Sequence, residues 1–440
     1  LATRLPPTLR LPTPIGLSGV MVACDDPEYG SPPSDTSTRA RHAQPVAILV
    51  ADQDAARAGI AVALTPDRDG DGRPDWAVAG SAAGATRQGA MWTGSGPTEG
   101  TLILTLAEAQ TTGARDIERL GQAMASVGDL DGDGLHEIAL GGIHIGDPSQ
   151  MHGGVRLLWG GSDAVTTLEA DGMMEHAGWA LSASVAGEPR VLVGTPYRRT
   201  IDDAVDERGF PDAVGRVYVV HDFSDGGLED RSEAVLEGEG SWAGFGMSVA
   251  GTDLNGDGVG DVLVGAPNAV TAAGLTGQVV WFAGPLSGTR TLSEADGSWS
   301  GEVGDHLGYS IAADGDLDGD GTLDAALGAY KGGIQRDDAG AVVVIDGASQ
   351  SISGRLEATQ AEALAGAALA MRALPAGRAE LLVGAPGWRV DGQRAGAVFR
   401  HQGAVVGKSD LQLGDALRSA SPQAELGTSP CERHRNVHDG

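Results

Sequence analysis

Short apolar runs closed by glycine punctuate the chain. Four of them, Trp76-Ala77-Val78-Ala79-Gly80, Ile138-Ala139-Leu140-Gly141, Val262-Leu263-Val264-Gly265 and Ala325-Ala326-Leu327-Gly328, each begin directly after an acidic stretch of nine residues. Runs of this length are too short for a buried helix, and without polar alternation they predict strands covered on both faces. A strand of small and apolar residues opened by glycine, such as Gly246-Met247-Ser248-Val249-Ala250, precedes each acidic stretch. After a polar connection comes a third strand, also opened by glycine: Gly215 to Val220, Gly277 to Phe282 and Gly340 to Ile345. A weaker fourth follows, as in Ala234-Val235-Leu236-Glu237 and Gly354-Arg355-Leu356-Glu357.

Aligned on the glycine that opens the first strand, the units start at Gly59, Gly121, Gly178, Gly246, Gly308, Gly366 and Gly427, at intervals of 62, 57, 68, 62, 58 and 61 residues. A period this steady means one supersecondary unit used repeatedly. Four short strands per unit is the pattern of a propeller blade, so the expected fold is an all-β propeller of six complete four-stranded blades. The seventh unit begins at Leu426-Gly427 with only 13 residues left, whereas Val46-Ala47-Ile48-Leu49-Val50 precedes the first unit like a lone outer strand. An incomplete seventh blade built from both termini and a six-bladed ring closed by the termini both remain open.

The acidic stretches place oxygen side chains at positions 1, 3, 5 and 9 and glycine at positions 4 and 6. Their ligand sets would be Asp67, Asp69, Asp71 and Asp75; Asp129, Asp131, Asp133 and Glu137; Asp253, Asn255, Asp257 and Asp261; and Asp316, Asp318, Asp320 and Asp324. The backbone carbonyls of Arg73, Leu135, Val259 and Thr322 at position 7 would complete the shells. Hard oxygen donors at fixed spacing, with glycines where the turn needs positive φ, suit a hard cation, and about four Ca2+ ions are expected. An EF-hand would carry a bidentate Glu at position 12, where this chain has Val78, Leu140, Val264 and Leu327. The loops therefore join strand to strand. The third and sixth units have Ala186-Gly187-Glu188-Pro189-Arg190 and Leu374-Pro375-Ala376-Gly377-Arg378 instead, and no metal is expected there.

The order Phe245-Gly246, acidic loop, Val264-Gly265-Ala266-Pro267, with Val383-Gly384-Ala385-Pro386 and Val193-Gly194-Thr195-Pro196 in other units, resembles the FG-GAP repeats of integrin α-chain propellers over roughly residues 45 to 430. That resemblance implies seven blades, calcium in the hairpin between the first two strands on one face, and ligand contacts from loops on the other.

A formal net charge of −30 argues against nucleic acid and against electrostatic attachment to an anionic membrane. Four divalent ions would take eight charges off, to about −22, so calcium relieves repulsion. Residues 1–23 read as an export leader, with Arg4 and Arg10 before an apolar run. The ending Val20-Met21-Val22-Ala23-Cys24 resembles a bacterial lipobox, which makes Cys24 the acylation site and the chain a cell-envelope lipoprotein, or otherwise a secreted protein. The other cysteine, Cys431, could instead bridge to an unacylated Cys24. Residues 24–44 read as a flexible tether, 45–430 as the propeller and 431–440 as a tail.

On the face that the resemblance places opposite the calcium loops, the connection from Tyr197 to Val214 is the longest of its kind and carries Arg198, Arg199 and Phe210. Trp242 and Trp299 lie in equivalent polar loops, either as recognition anchors or packed between blades. His136, His144 and His152 read as separate surface histidines. No catalytic motif is visible. Two functions follow: a calcium-stabilised, monomeric binding or adhesion module for a protein or glycan, or a propeller enzyme, hydrolase or lyase, with catalytic groups at the central channel.

Overall fold

The computed structural model describes residues 20–22, 47–51, 57–95, 100–106, 109–146, 151–172, 175–184, 186–198, 213–240, 243–332, 337–374, 377–390, 392–411 and 416–418. Six sheets share one topology, four antiparallel strands in sequence order, and each corresponds to one repeat unit. Blade 4 is the type: Ser248–Thr252, Asp261–Ala266, Gln278–Phe282 and Gly297–Ser300. The expected six complete blades are therefore present. The first strands of the six, Ala58–Thr65, Leu120–Gly128, Ala180–Ala183, Ser248–Thr252, Leu307–Gly315 and Ala368–Ala373, adjoin from each blade to the next.

The apolar second strands owe their lack of alternation to neighbours on both sides. In blade 4, Val262 and Val264 pack with Leu192, Val217 and Val219 of blade 3. Leu263, between them, turns the other way and packs with Leu327, Val343 and Ile345 of blade 5. All six residues of Asp261–Ala266 are buried, as are those of Asp75–Gly80, Glu137–Gly142 and Asp324–Ala329. Each such Val or Leu contributes about 1.5–3 kcal/mol, an upper value given a compact unfolded chain.

Glycine sets how closely the blades approach. The opening glycines Gly59, Gly121, Gly178, Gly246, Gly308 and Gly366 all have φ between 80° and 90°, a conformation that other residues adopt only under strain. All but Gly59 also receive the preceding blade. A methyl added to Gly141, Gly194, Gly265 or Gly328 on a second strand would lie 1.9–2.2 Å from the carbonyl oxygen of Gly178, Gly246, Gly308 or Gly366, respectively. Blade 1 has Ala79 at the corresponding place, facing Gly121.

A fifth strand, which the repeat pattern does not reveal, laces neighbouring blades at the rim. The connection between the third and fourth strands of one blade runs parallel to the outer strand of the blade before it. Gly226–Gly227 of blade 3 pairs with the outer strand of blade 2, Gly288–Thr291 of blade 4 with that of blade 3, and Gly407–Asp410 of blade 6 with that of blade 5. By the same rule Gly100–Leu104, from blade 1, pairs in parallel with Ala47–Ala51. Ala47–Ala51 thus stands where the outer strand of a blade before blade 1 would stand, as the sequence suggests. It pairs on its other edge with Val20–Val22, inside the segment read as an export leader, so cleavage before Cys24 would remove a paired strand. Among the described residues the first strands of blades 1 and 6 do not adjoin as the others do. The outward face of blade 1, with Trp76, Val78 and Trp92, is closed by Leu104 of the lacing strand. Gly427 and the residues after it lie outside the described residues.

Buried ion pairs tie the segment that enters a blade to that same blade, at the end opposite the acidic loops. Asp305, just before Gly308, is 1% exposed and takes a two-pronged contact from Arg355, with Nη1 to Oδ2 at 2.6 Å and Nη2 to Oδ1 at 3.0 Å. Burying one charge without its counter-charge is costly, whereas an apolar pair of similar volume can be tolerated. Arg355→Met alone should therefore cost about 3–5 kcal/mol in urea unfolding, and Asp305→Leu/Arg355→Met should recover most of that loss. Equal destabilisation by the single and double variants would show that the pair is not coupled.

Candidate functional site

The four acidic loops are wired alike. The position-1 carboxylate accepts from the N–H of position 6: Gly72 to Asp67 at 2.9 Å, Gly134 to Asp129 at 2.9 Å, Gly258 to Asp253 at 2.9 Å and Gly321 to Asp316 at 2.9 Å. Its other oxygen accepts from position 4 or 5, and the carboxylate or amide at position 3 accepts from the N–H of position 5. Position 5 accepts from the N–H of position 7, that of Arg73, Leu135, Val259 and Thr322. These bonds wind the loop into a spiral with its oxygens inward.

Position 9 begins the second strand and is buried: Asp75, Glu137, Asp261 and Asp324 are at most 4% exposed. It staples the loop by accepting from the position-2 N–H, as from Leu254 to Asp261 at 3.1 Å and Leu317 to Asp324 at 2.8 Å. In the last three loops its other oxygen accepts from the turn after the third strand, at Gly160, Gly284 and Gly347. In the first loop that oxygen, Oδ1 of Asp75, is buried with no hydrogen-bond donor. Burial pushes the carboxyls of Glu137, Asp261 and Asp324 upward, and the neighbouring loop carboxylates add to the shift. Ligand oxygens of Asp67, Asp69 and Asp71, of Asp129, Asp131 and Glu137, and of Asp316, Asp318 and Asp320 lie within 4.8 Å of one another. The third loop has the same hydrogen bonds, with the Asn255 amide in place of a position-3 carboxylate. An inward set of hard oxygens and mutual repulsion together match the requirements of a divalent cation.

The loops also touch in pairs. His136 donates its N–H to the Asp67 carbonyl at 3.0 Å and Gly161 to the Arg68 carbonyl at 2.7 Å, joining the first two. Thr322 lies against Gly256, joining the last two.

At the opposite end, residues just after the opening glycines and just after the second strands meet around the axis. Ile143, Trp179, Met247, Tyr309 and Ala367 form one cluster drawn from five consecutive blades, with Tyr197 and Tyr330 packed against it. Trp179 meets Tyr197 edge to face at 5.4 Å, Tyr197 meets His176 at 5.6 Å, and His176 lies 5.4 Å from His144. Tyr309 and Tyr330 are 4.1 Å apart, with His306 5.7 Å from Tyr330 and the Lys331 ammonium 5.4 Å over its ring. The sequence signal for this cluster is the residue following each repeat glycine, which the apolar pattern alone does not single out.

The residues expected to contact a partner separate into different roles. Tyr197 joins the cluster. Arg198 is turned inward, pairing with fully buried Glu175 at 2.6 Å, whose other oxygen accepts from the Tyr218 hydroxyl at 3.2 Å. It is thus a structural cation and not a displayed one. Trp299 is 8% exposed on the fourth strand of blade 4, stacked on Trp281 at 6.5 Å, with its indole N–H donating to the Gln350 carbonyl of blade 5 at 3.2 Å. Of its two readings, packing between blades is the one seen. His144 is paired ring to ring with His176 and is not an isolated surface histidine. Arg199, Phe210, Trp242, Cys24 and Cys431 lie outside the described residues.

Strand order, the close glycine contacts and the hairpin loops define a repeat β-propeller. A family model described as FG-GAP repeat matches residues 245–280. Integrin alpha pat-2 of Caenorhabditis elegans is 31% identical over 233 residues, 50% of this chain and 18% of that protein. Integrin alpha-5 of Xenopus laevis is 28% identical over 232 residues, 50% of this chain and 21% of that protein. Integrin alpha-IIb of Mus musculus is 38% identical over 126 residues, 27% of this chain and 12% of that protein. The solved Dos1 propeller aligns with 74% of this chain and 67% of that chain, at 12% identity and a TM-score of 0.39. The chain is a β-propeller that carries one FG-GAP repeat match and is similar to integrin α chains over up to half its length, and those matches span about a fifth or less of the integrin chains.

The long connection in blade 3 is closed at its base, where Val214 donates its N–H to the Arg198 carbonyl at 3.0 Å. Excision of residues 199–212 with Arg198 retained should therefore leave thermal unfolding within a few degrees of the parent. Arg198→Ala should cost about 3–5 kcal/mol by stranding Glu175. The reverse order of effects would place the stabilising contacts in the excised segment.

Proposed function

We propose that this protein is a non-enzymatic binding or adhesion module in which calcium rigidifies one end of the ring and a protein partner docks on the other. The carrying observation is the aromatic cluster gathered from five blades at the metal-free end. Aromatic side chains offer large contact area at low entropic cost, and Tyr197 and Tyr330 are only half-buried. The integrin α matches support a protein partner over a glycan. Calcium would be held by the carboxylates at positions 1, 3, 5 and 9, with Asn255 substituting once, and by the position-7 carbonyls. Bound there, it would neutralise charges that otherwise repel.

About four ions, a monomeric ring and an exported location at the cell surface or in the medium complete the reading. Among the described residues no helix is long and apolar enough to cross a membrane. Acylation of Cys24 would tether the ring through residues 24–44, at the expense of the Val20–Val22 strand.

Both halves of the proposal can be tested together. Each site occupied at a hundredfold excess over its Kd adds about 2.7 kcal/mol, so chelation should lower the melting temperature substantially. Asp318→Ala should remove one bound calcium by titration and leave the others. Tyr197→Ala/Tyr330→Ala should abolish capture of extracellular proteins on the immobilised ring while bound calcium is unchanged. An unaltered melting curve in chelator would refute the calcium half, and undiminished capture by the tyrosine variant would refute the docking half.

A further inference from the structure

In a chain of this net charge several arginines at the metal-free end have found a carboxylate: Arg156 pairs with Glu118, Arg198 with Glu175, Arg216 with Glu237, Arg355 with Asp305 and Arg389 with Glu362, while Arg115 donates to the Gly146 carbonyl. Arg87 and Arg119 have not. Neither has a carboxylate within ion-pair distance among the described residues, although the chain holds 60 acidic side chains.

Their placement is set by the fold. Arg57 and Arg119 stand two residues before the opening glycines of blades 1 and 2, both at φ 54°, and Arg87, at φ 58°, lies in the connection after the second strand of blade 1. Arg119 donates its N–H to the Arg87 carbonyl at 3.3 Å, so the two are stitched together across the blade boundary. The acid next in sequence, Glu118, is only 1% exposed; it accepts from the Ala114 and Arg115 N–H groups and faces Arg156. Arg119 is half-buried, and burial first, then the charges of Arg57 and Arg87, push its guanidinium below its ordinary pKa. On the far side, the His144 ring donates its Nδ1–H to the Ile117 carbonyl at 2.9 Å and leads on to His176, Tyr197 and Trp179.

We propose that Arg87 and Arg119 form an anion-binding site for an acidic segment of a protein partner, with the adjoining His144, His176 and Tyr197 rings receiving an aromatic or apolar side chain of the same segment. This rests on the reading that the metal-free end is the docking face. Guanidinium groups hold carboxylates through paired, directional hydrogen bonds, and an unmatched pair gains most when the counter-charge arrives from outside. An extended polyanion such as a sulfated glycan fits less well, because a few steps from the arginines it would meet the field of a strongly acidic protein. A short acidic segment needs only the local positive potential and the rings beside it.

The test uses fluorescence anisotropy with a labelled dodecapeptide carrying four consecutive glutamates and one phenylalanine, its glutamine counterpart, and a heparin-derived octasaccharide. The glutamate peptide should bind the wild-type protein, the glutamine peptide about tenfold more weakly, and Arg87→Gln/Arg119→Gln should weaken the glutamate peptide about tenfold. The melting temperature of that variant should hold or rise, since it removes repulsion. The inference is overturned if the glutamate peptide does not bind, if the double variant binds it unchanged, if the variant melts lower, or if only the octasaccharide depends on the two arginines. If Tyr197→Ala/Tyr330→Ala loses capture while Arg87→Gln/Arg119→Gln retains it, the docking face stands and the acidic partner falls.

Discussion

Backbone against backbone, at the glycine pairs near the axis, is the contact on which the ring depends. The second-strand glycine of one blade and the opening glycine of the next leave no room for a methyl between them at four successive interfaces. Such an approach brings the inner strands together, and from it follows the burial of each second strand on both faces. A side chain at these positions would hold neighbouring blades apart and leave Val and Leu side chains at the shared faces incompletely packed. Because the opening glycine also carries a positive φ, it turns the chain into the axis at the point where the blades meet.

The direction of the strands then sorts the chemistry between two ends. Every first hairpin turns at one end, where the loops collect carboxylates that favour a cation and disfavour each other. Every chain reversal into an opening glycine lies at the other, where side chains immediately beyond the glycines converge from different blades. Buried pairs such as Arg355 with Asp305 and Arg198 with Glu175 fasten that second end without metal. A cation held at the first end and a partner docked at the second would therefore not compete for the same ligands.

Much of this was legible in the sequence. A period near 60 residues, the strand order within it and the acidic loops are properties of adjacent residues, and the six blades follow from them. Even the lone strand at Ala47–Ala51 could be read, because it matches the outer strands of other units. Contacts between residues far apart in sequence could not be read in this way. Three of the four lacing strands, Gly226–Gly227, Gly288–Thr291 and Gly407–Asp410, are short, made of glycine and polar residues, and carry no apolar pattern of their own. Arg198 looked like a displayed charge because Glu175, which turns it inward, lies in the preceding connection. Trp299 looked like a loop residue because the fourth strand that holds it, Gly297–Ser300, is mostly glycine and serine. The aromatic cluster takes single residues from five units, so no one window contains it.

The glycine contact can be isolated by a single comparison of unfolding free energies. Gly265 has no positive φ, and a methyl there would lie 2.1 Å from the Gly308 carbonyl oxygen, so Gly265→Ala carries the clash without a backbone penalty. Gly377 has a φ of 83° and open space around it, so Gly377→Ala carries a backbone penalty without a clash. Measured by urea unfolding in saturating calcium, Gly265→Ala should lose about 3 kcal/mol or more and Gly377→Ala about 1 kcal/mol. If Gly265→Ala proves no more costly than Gly377→Ala, close backbone packing between blades is not what holds the ring together.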